Sequence, residues 1–304
     1  MTIDFIDPHV HFFALATGEY AWLKPDNPPF WKDKNLIHND YCESDLSVNA
    51  PLNLSAYVHV EAGFDNENSL KEAEYWLEKA TLPMTAMIFA DLRVSPERFR
   101  QSLMLALALN DAPQQERNAF CAKPITGIRH IFDDETCNIL SSDNTDENFS
   151  LLDELGLLFE LQMNMANSND FSALMKVLEK YPSLRLSVNH AGGFNGAHNR
   201  ISTKELDAWC QNMRHLCELN NAYVKVSGFE MQDRNYTIDH VKRSLDDTLN
   251  VAGEGNVMFA SNFPLTLFSA TYSSYWQLVI EAIDSMGLKR STLIHDTAKR
   301  CYFG

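Results

Sequence analysis

Short apolar runs recur along this chain, and between them the apolar positions shift to helical spacing. The runs cover residues 3–7, 56–60, 84–90, 125–131, 157–162, 184–189, 222–226 and 257–261. Each is apolar enough to be buried on both faces, as strands of a parallel sheet are. The segments between them predict helices over 69–79, 96–110, 171–180, 203–220, 237–252 and 271–286. Ser95 caps the second of these with Pro96 at its first position, and Gly287 closes the last. Strand followed by helix, repeated about eight times over about 300 residues, is the pattern of a (β/α)8 TIM barrel. A doubly wound open sheet would normally carry a glycine-rich turn after its first strand. Here that position reads Asp7-Pro8-His9-Val10-His11, so the barrel is the better prediction, as one domain over residues 1–304.

Two stretches break the alternation. Residues 12–55 hold Tyr20, Trp22, Pro25, Pro28, Pro29, Phe30 and Trp31, and this density of aromatics and prolines predicts an ordered lid over the barrel mouth. Residues 133–148 form a second, polar excursion after the fourth run.

Composition narrows the class. The chain has 304 residues, 45% hydrophobic and 22% charged, which is enough to build a large core. No run of 18 apolar residues occurs, and the first residues lack the pattern of a signal peptide, so a cytoplasmic location is expected. The six cysteines are scattered without a Cys-x-x-Cys and read as reduced thiols. A net charge of −16 argues against nucleic acid and anionic membranes as partners and leaves a small-molecule substrate.

In a barrel the chemistry sits at the C-terminal ends of the strands. Those positions supply His9 and His11, then His59 and Glu61, then Asp91 and Arg93, then Arg129 and His130. They continue with Glu160 and Gln162, Asn189 and His190, Lys225 with Ser227-Gly228, and Ser261-Asn262. Histidines one residue apart at a strand end share a face and can hold a metal or position an anionic group. The bland alternatives are a buried ion pair for Glu160, a rim salt bridge for Asp91 and Arg93, and a hydrogen-bonded structural imidazole for His130. Histidines 198, 215, 240 and 295 fall on helices or loops and read as surface or capping residues. Convergence of His9, His11 and His190 from separate strand ends is harder to attribute to chance.

Motifs spread over essentially the whole chain resemble the amidohydrolase superfamily, in the branch that includes 2-pyrone-4,6-dicarboxylate lactonase and L-fuconolactonase. The resemblance rests on Asp-Pro-His-Val-His at 7–11, Val-His-Val-Glu-Ala at 58–62, Gly-Ile-Arg-His at 127–130 and Asn-His-Ala-Gly-Gly at 189–193. It continues through Lys-Val-Ser-Gly at 225–228, Ala-Ser-Asn-Phe-Pro at 260–264 and Thr-Ala-Lys-Arg-Cys-Tyr at 297–302. It implies a hydrolase, foremost a lactonase opening a cyclic ester of a small carboxylated or sugar-acid substrate, with a cyclic amide as a lesser alternative. It also implies His9, His11 and His190 as ligands of at most one divalent metal, zinc or manganese, or as a metal-independent electrophilic centre.

The resemblance breaks at the eighth strand, where a carboxylate is usual as general base and this chain has Asn262. An amide takes up no proton near neutral pH. Asn262 is then expected to orient water, either beside a metal-bound hydroxide or with Glu61 or His59 as substitute base. Arg129 is expected to grip a substrate oxygen, with His59, His130 and Lys225 as further binding groups and Trp22 in the lid above. The alternatives are a metal-dependent decarboxylase on the same barrel and a non-catalytic binder of small acids. A homodimer is also consistent with such barrels.

Overall fold

The computed structural model describes residues 2–111, 123–194, 196, 202–218 and 222–304. Eight parallel strands stand in the order β1 to β8, each hydrogen-bonded to the next. They are β1 (Ile3–Val10), β2 (Leu52–Val60), β3 (Met84–Phe89), β4 (Ile125–Ile131), β5 (Leu158–Gln162), β6 (Arg185–Val188), β7 (Ala222–Val226) and β8 (Val257–Phe259). A parallel bridge between Val10 and Phe263 and a hydrogen bond from the His11 amide to the Phe263 carbonyl bring the first and last strands together. The ring is the (β/α)8 barrel that the periodicity predicted.

Eight turns of strand and helix are not what the described chain shows. No α-helix follows β1; residues 11–51 hold only three short 3-10 turns. After the later strands come α1 (Leu70–Lys79), α2 (Pro96–Asp111), α3 (Thr136–Leu140), α4 (Asp143–Glu154), α5 (Ser168–Leu178), α6 (Thr203–Glu218), α7 (Phe229–Gln232), α8 (Ile238–Ala252) and α9 (Tyr272–Ser285). The stretch 133–148 is largely helical despite its polar composition, because Ile139 is buried in α3 and α4, which begins in the stretch, buries Phe149, Leu151 and Leu152 beyond it. A final helix, α10 (Thr297–Tyr302), packs against β1 and β8 and closes the helical layer there. No helix among the described residues is long and apolar enough to cross a membrane.

Residues 11–51 cover the mouth through an aromatic cluster of their own. Phe13, Tyr20, Leu23 and Ile37 are buried there with Phe64 and Phe268 from the barrel loops. The buried Lys34 ammonium donates to the carbonyls of Trp22, Lys24 and Asn27 (2.7, 3.2 and 2.7 Å) and so ties one bend of the segment together. Arg234, beyond β7, bonds Asp33 at 2.8 Å and lies over the Phe268 ring at 4.0 Å. Trp22, Pro29 and Trp31 of this aromatic and proline-rich segment face the barrel mouth.

Candidate active site

A cavity of about 750 Å³ opens at the C-terminal ends of the strands. His11, Glu61, Arg129, His130, His190 and Asn262 line it from the barrel, and Trp22, Pro29 and Trp31 line it from the lid. Amide side chains supply much of the remaining polar wall, from Asn66, Gln162, Asn164, Asn189 and Gln232.

The histidine pair meets at the floor. His9 Nε2 and His11 Nε2 are 3.1 Å apart, with their rings nearly perpendicular. Their outer nitrogens determine the tautomers. His11 Nδ1 lies 2.7 Å from the Val60 carbonyl, which only accepts, so His11 carries its proton on Nδ1. His9 Nδ1 lies 3.1 Å from Lys225 Nζ, and an ammonium only donates, so His9 carries its proton on Nε2 and gives it to His11. Burial pulls both imidazoles well below the usual histidine range, and nearby Lys225 and Arg129 push the same way. Both rings are neutral at neutral pH.

Lys225 is not a substrate contact. It is fully buried beneath His9, with Nζ 2.6 Å from Glu160 Oε1. Glu160 also accepts from the Tyr302 hydroxyl at 2.8 Å and from Asn189 Nδ2 at 3.1 Å. The inward face of β5 and β7 thus holds a closed ion pair whose outlet is His9, and the buried-pair reading of Glu160 is the right one.

With its proton on Nε2, His9 presents no lone pair there to a divalent cation. Occupied by one, His9 would have to offer a bare Nε2 and hold its proton on Nδ1, facing a lysine ammonium at 3.1 Å. Asn262 adds no anionic donor. Among the described residues no group of three His, Cys, Asp or Glu side chains is arranged as a metal site. His9 and His11 are brought together as expected, but as a hydrogen-bonded pair.

His190 reaches the same cavity by a strained turn. After β6 the backbone of His190, Ala191 and Gly192 runs through three successive left-handed conformations, with φ of 52°, 50° and 65°. For the two non-glycine residues this costs about 1–2 kcal/mol each, the kind of strain that gathers at functional sites. It lays the His190 ring 4.9 Å from that of His9, with Nδ1 2.8 Å from Ser227 Oγ. Gly228 makes room, since a Cβ there would stand 2.8 Å from His190 Nδ1. Burial and the cations Lys225 and Arg129 lower His190 to about 3, so it is a neutral imidazole.

Arg129 and Glu61 form a second buried pair, on the cavity wall. Arg129 Nε lies 2.7 Å from Glu61 Oε1, and its Nη2 donates to the Glu61 carbonyl at 2.6 Å. Burial raises Glu61 above the usual carboxylate range, and the guanidinium opposes that rise.

His59 departs from the expectation that it shares a face with Glu61. β2 ends at Val60, so the alternation stops between them, and His59 points outward to the helices. There its Nε2 meets Glu72 Oε1 of α1 at 3.1 Å, and its ring stacks on Phe12. It does not line the cavity. His130 lies at the rim, 3.9 Å from Asp91, and burial lowers it to about 4. Asp91 and Arg93 make the rim salt bridge. Of the four peripheral histidines, His215 is exposed as expected, His240 is buried in α8 rather than exposed, His295 is partly buried, and His198 lies outside the described residues.

The sequence reasoning missed Glu230. Gly228, left-handed at φ 73°, turns the chain after β7 into the short α7, and this puts Glu230 directly behind Asn262. Asn262 Nδ2 donates to Glu230 Oε1 at 2.6 Å. Glu230 is fully buried, its Oε2 has no partner, and burial pushes it up to about 7. The signal was a carboxylate three residues past the Ser227 strand end.

With this geometry in view, the comparisons decide the family. The sequence pattern described as amidohydrolase matches residues 6–303. The chain belongs to the amidohydrolase family. Among its curated relatives, an L-fucono-1,5-lactonase of Burkholderia multivorans is 30% identical, covering 98% of this chain and 95% of that protein. An L-rhamnono-gamma-lactonase of Scheffersomyces stipitis is 22% identical over 98% and 96%. An amidohydrolase from Burkholderia multivorans, solved with zinc bound, superposes with a TM-score of 0.73 at 21% identity over 99% of each chain. This amidohydrolase is a hydrolase with lactonase relatives, built on the barrel that the periodicity predicted.

Proposed function

We propose that this amidohydrolase opens an uncharged, polyhydroxylated lactone of the sugar-acid type. The carrying observation is the charge state of its cavity. Arg129 is already neutralised by Glu61, and Arg93 at the rim by Asp91. Little net cationic attraction is left for a dicarboxylate substrate, whereas the amide side chains and the indoles of Trp22 and Trp31 suit hydroxyl groups and the apolar face of a sugar ring. The lactonase names of the relatives support the same reading.

In this reading the lactone carbonyl lies between Arg129 and His190. A neutral imidazole is suited to donating a hydrogen bond to the developing oxyanion, because it holds its proton without giving it up. Asn262 holds the attacking water by its Oδ1. Glu61 accepts the water's proton while Oε1 stays on Arg129, and the proton passes to the ring oxygen as the acyl C–O bond breaks. Acid and alcohol leave as one molecule. No step depends on a metal.

The test is the pH dependence of lactone hydrolysis in wild type and Glu61→Gln. Loss of at least 100-fold in kcat is expected for the variant; an unchanged rate and pH profile removes Glu61 from the role of base. Asn262 in place of a carboxylate motivates a second reading, a binding protein for small acids. It predicts bound sugar acid without turnover in the wild type and activity gained on Asn262→Asp.

A further inference from the structure

We infer that Glu230 is a positioning residue for Asn262, setting which end of the Asn262 amide faces the substrate. This rests on the reading of the cavity as hydrolytic. An asparagine side chain offers an acceptor at one end and a donor at the other, and nothing in its own shape selects between them. Here the choice is made from behind. Glu230 Oε1 lies 2.6 Å from Asn262 Nδ2, so the ionised carboxylate holds the amide nitrogen inward and turns the carbonyl oxygen to the cavity that Asn262 lines. That is the orientation which can accept a hydrogen bond from a water molecule.

Protonation of Glu230 reverses the preference. A carboxylic acid donates as well as accepts, so it bonds equally well to a flipped Asn262 that presents Nδ2 to the cavity. The surroundings leave this proton free to come and go. Glu230 Oε2 is buried without a partner. The charged and titratable groups near Glu230 are few. Arg234, four residues on, donates to the Glu230 backbone carbonyl and engages Asp33, while Tyr236 and Tyr275 are phenols held neutral by burial. No cation pairs with the Glu230 carboxylate among the described residues, and burial brings its titration to about 7.

The position usually filled by a carboxylate at the end of β8 is thus served by two residues, an amide at the substrate and a carboxylate behind it. Asn262 touches the reacting atoms and Glu230 acts through it.

Two measurements on the whole protein test this. The first is kcat and KM for a sugar lactone from pH 5.5 to 9 in wild type, Glu230→Gln, Glu230→Ala and Asn262→Ala. In wild type kcat falls about tenfold per pH unit below about 7. Glu230→Gln, whose amide oxygen accepts from Asn262 Nδ2 at every pH, loses that limb with KM within about twofold. Glu230→Ala loses about as much kcat as Asn262→Ala, and the double variant loses no more than either, as residues acting as a unit do. A limb that survives in Glu230→Gln with its midpoint still at about 7, or additive losses in the double variant, overturns the proposal. The second is the side-chain amide resonance of Asn262, followed by NMR with pH. It moves with a midpoint about 7 in wild type and stays fixed in Glu230→Gln. An unmoved wild-type resonance overturns the proposal, whereas a moving one without lactone turnover sinks only the lactonase reading.

Discussion

The Glu230→Gln variant should be more stable than the wild type, and increasingly so as pH rises. Glu230 titrates near 4.5 in an unfolded chain and at about 7 in the fold. Its folded value is raised, so between those limits the native state binds more protons than the unfolded state. Stability then falls as pH rises through this window, because the buried carboxylate must ionise without a cation. Each pKa unit is worth about 1.4 kcal/mol, so ionisation costs about 2–4 kcal/mol at pH 8. Glutamine resembles the protonated acid in shape and charge. Urea unfolding of both proteins at pH 4.5, 6 and 8 measures the difference. The curves should nearly coincide at pH 4.5, and the variant should lead by about 2–4 kcal/mol at pH 8. A gap that does not open with pH, or a variant less stable at pH 8, refutes the account of a buried, unpaired carboxylate.

Four further outcomes are expected. Lys225→Met leaves Glu160 charged in the core without its cation and should cost about 3–5 kcal/mol in urea unfolding, with much of it returned by adding Glu160→Gln. The same single variant removes the ammonium from His9 Nδ1, so equilibrium dialysis should find zinc held more tightly than by wild type; equal affinity contradicts the assigned tautomer. Gly228→Ala places a methyl 2.8 Å from His190 Nδ1 at a backbone φ of 73° and should cut kcat more than tenfold while lowering the melting temperature, both read on one preparation. Arg234→Ala releases the lid from the barrel at Asp33 and Phe268, and should speed hydrogen exchange in residues 20–37 and raise KM several-fold.

Much of the site was legible before folding, for a reason that the strands make plain. A parallel barrel strand is apolar throughout except where it ends, so a polar residue closing such a run is marked by contrast. His9, Glu61, Arg129, His190 and Asn262 were all found this way, and their meeting follows from the closed sheet. The failures have a common cause. His59 was assigned to the cavity by assuming that alternation continued past Val60, but the strand stops there and the side chain goes to Glu72. Lys225 sits at a strand end, and only the depth at which Glu160 and Tyr302 meet it shows that it is sealed from substrate.

The sequence by itself determined the barrel, its lid and the identity of most groups around the cavity, because period, turn residues and strand-end polarity are local properties. Tertiary structure alone decided charge and partnership. Which imidazole nitrogen carries the proton depends on Lys225, 216 positions away from His9. Whether Arg129 is free to bind an anion depends on Glu61, 68 positions away. Glu230 gained its place behind Asn262 from a short helix that no periodicity announces. Protonation and pairing are set by burial and by neighbours brought together across the fold, and a linear pattern carries neither.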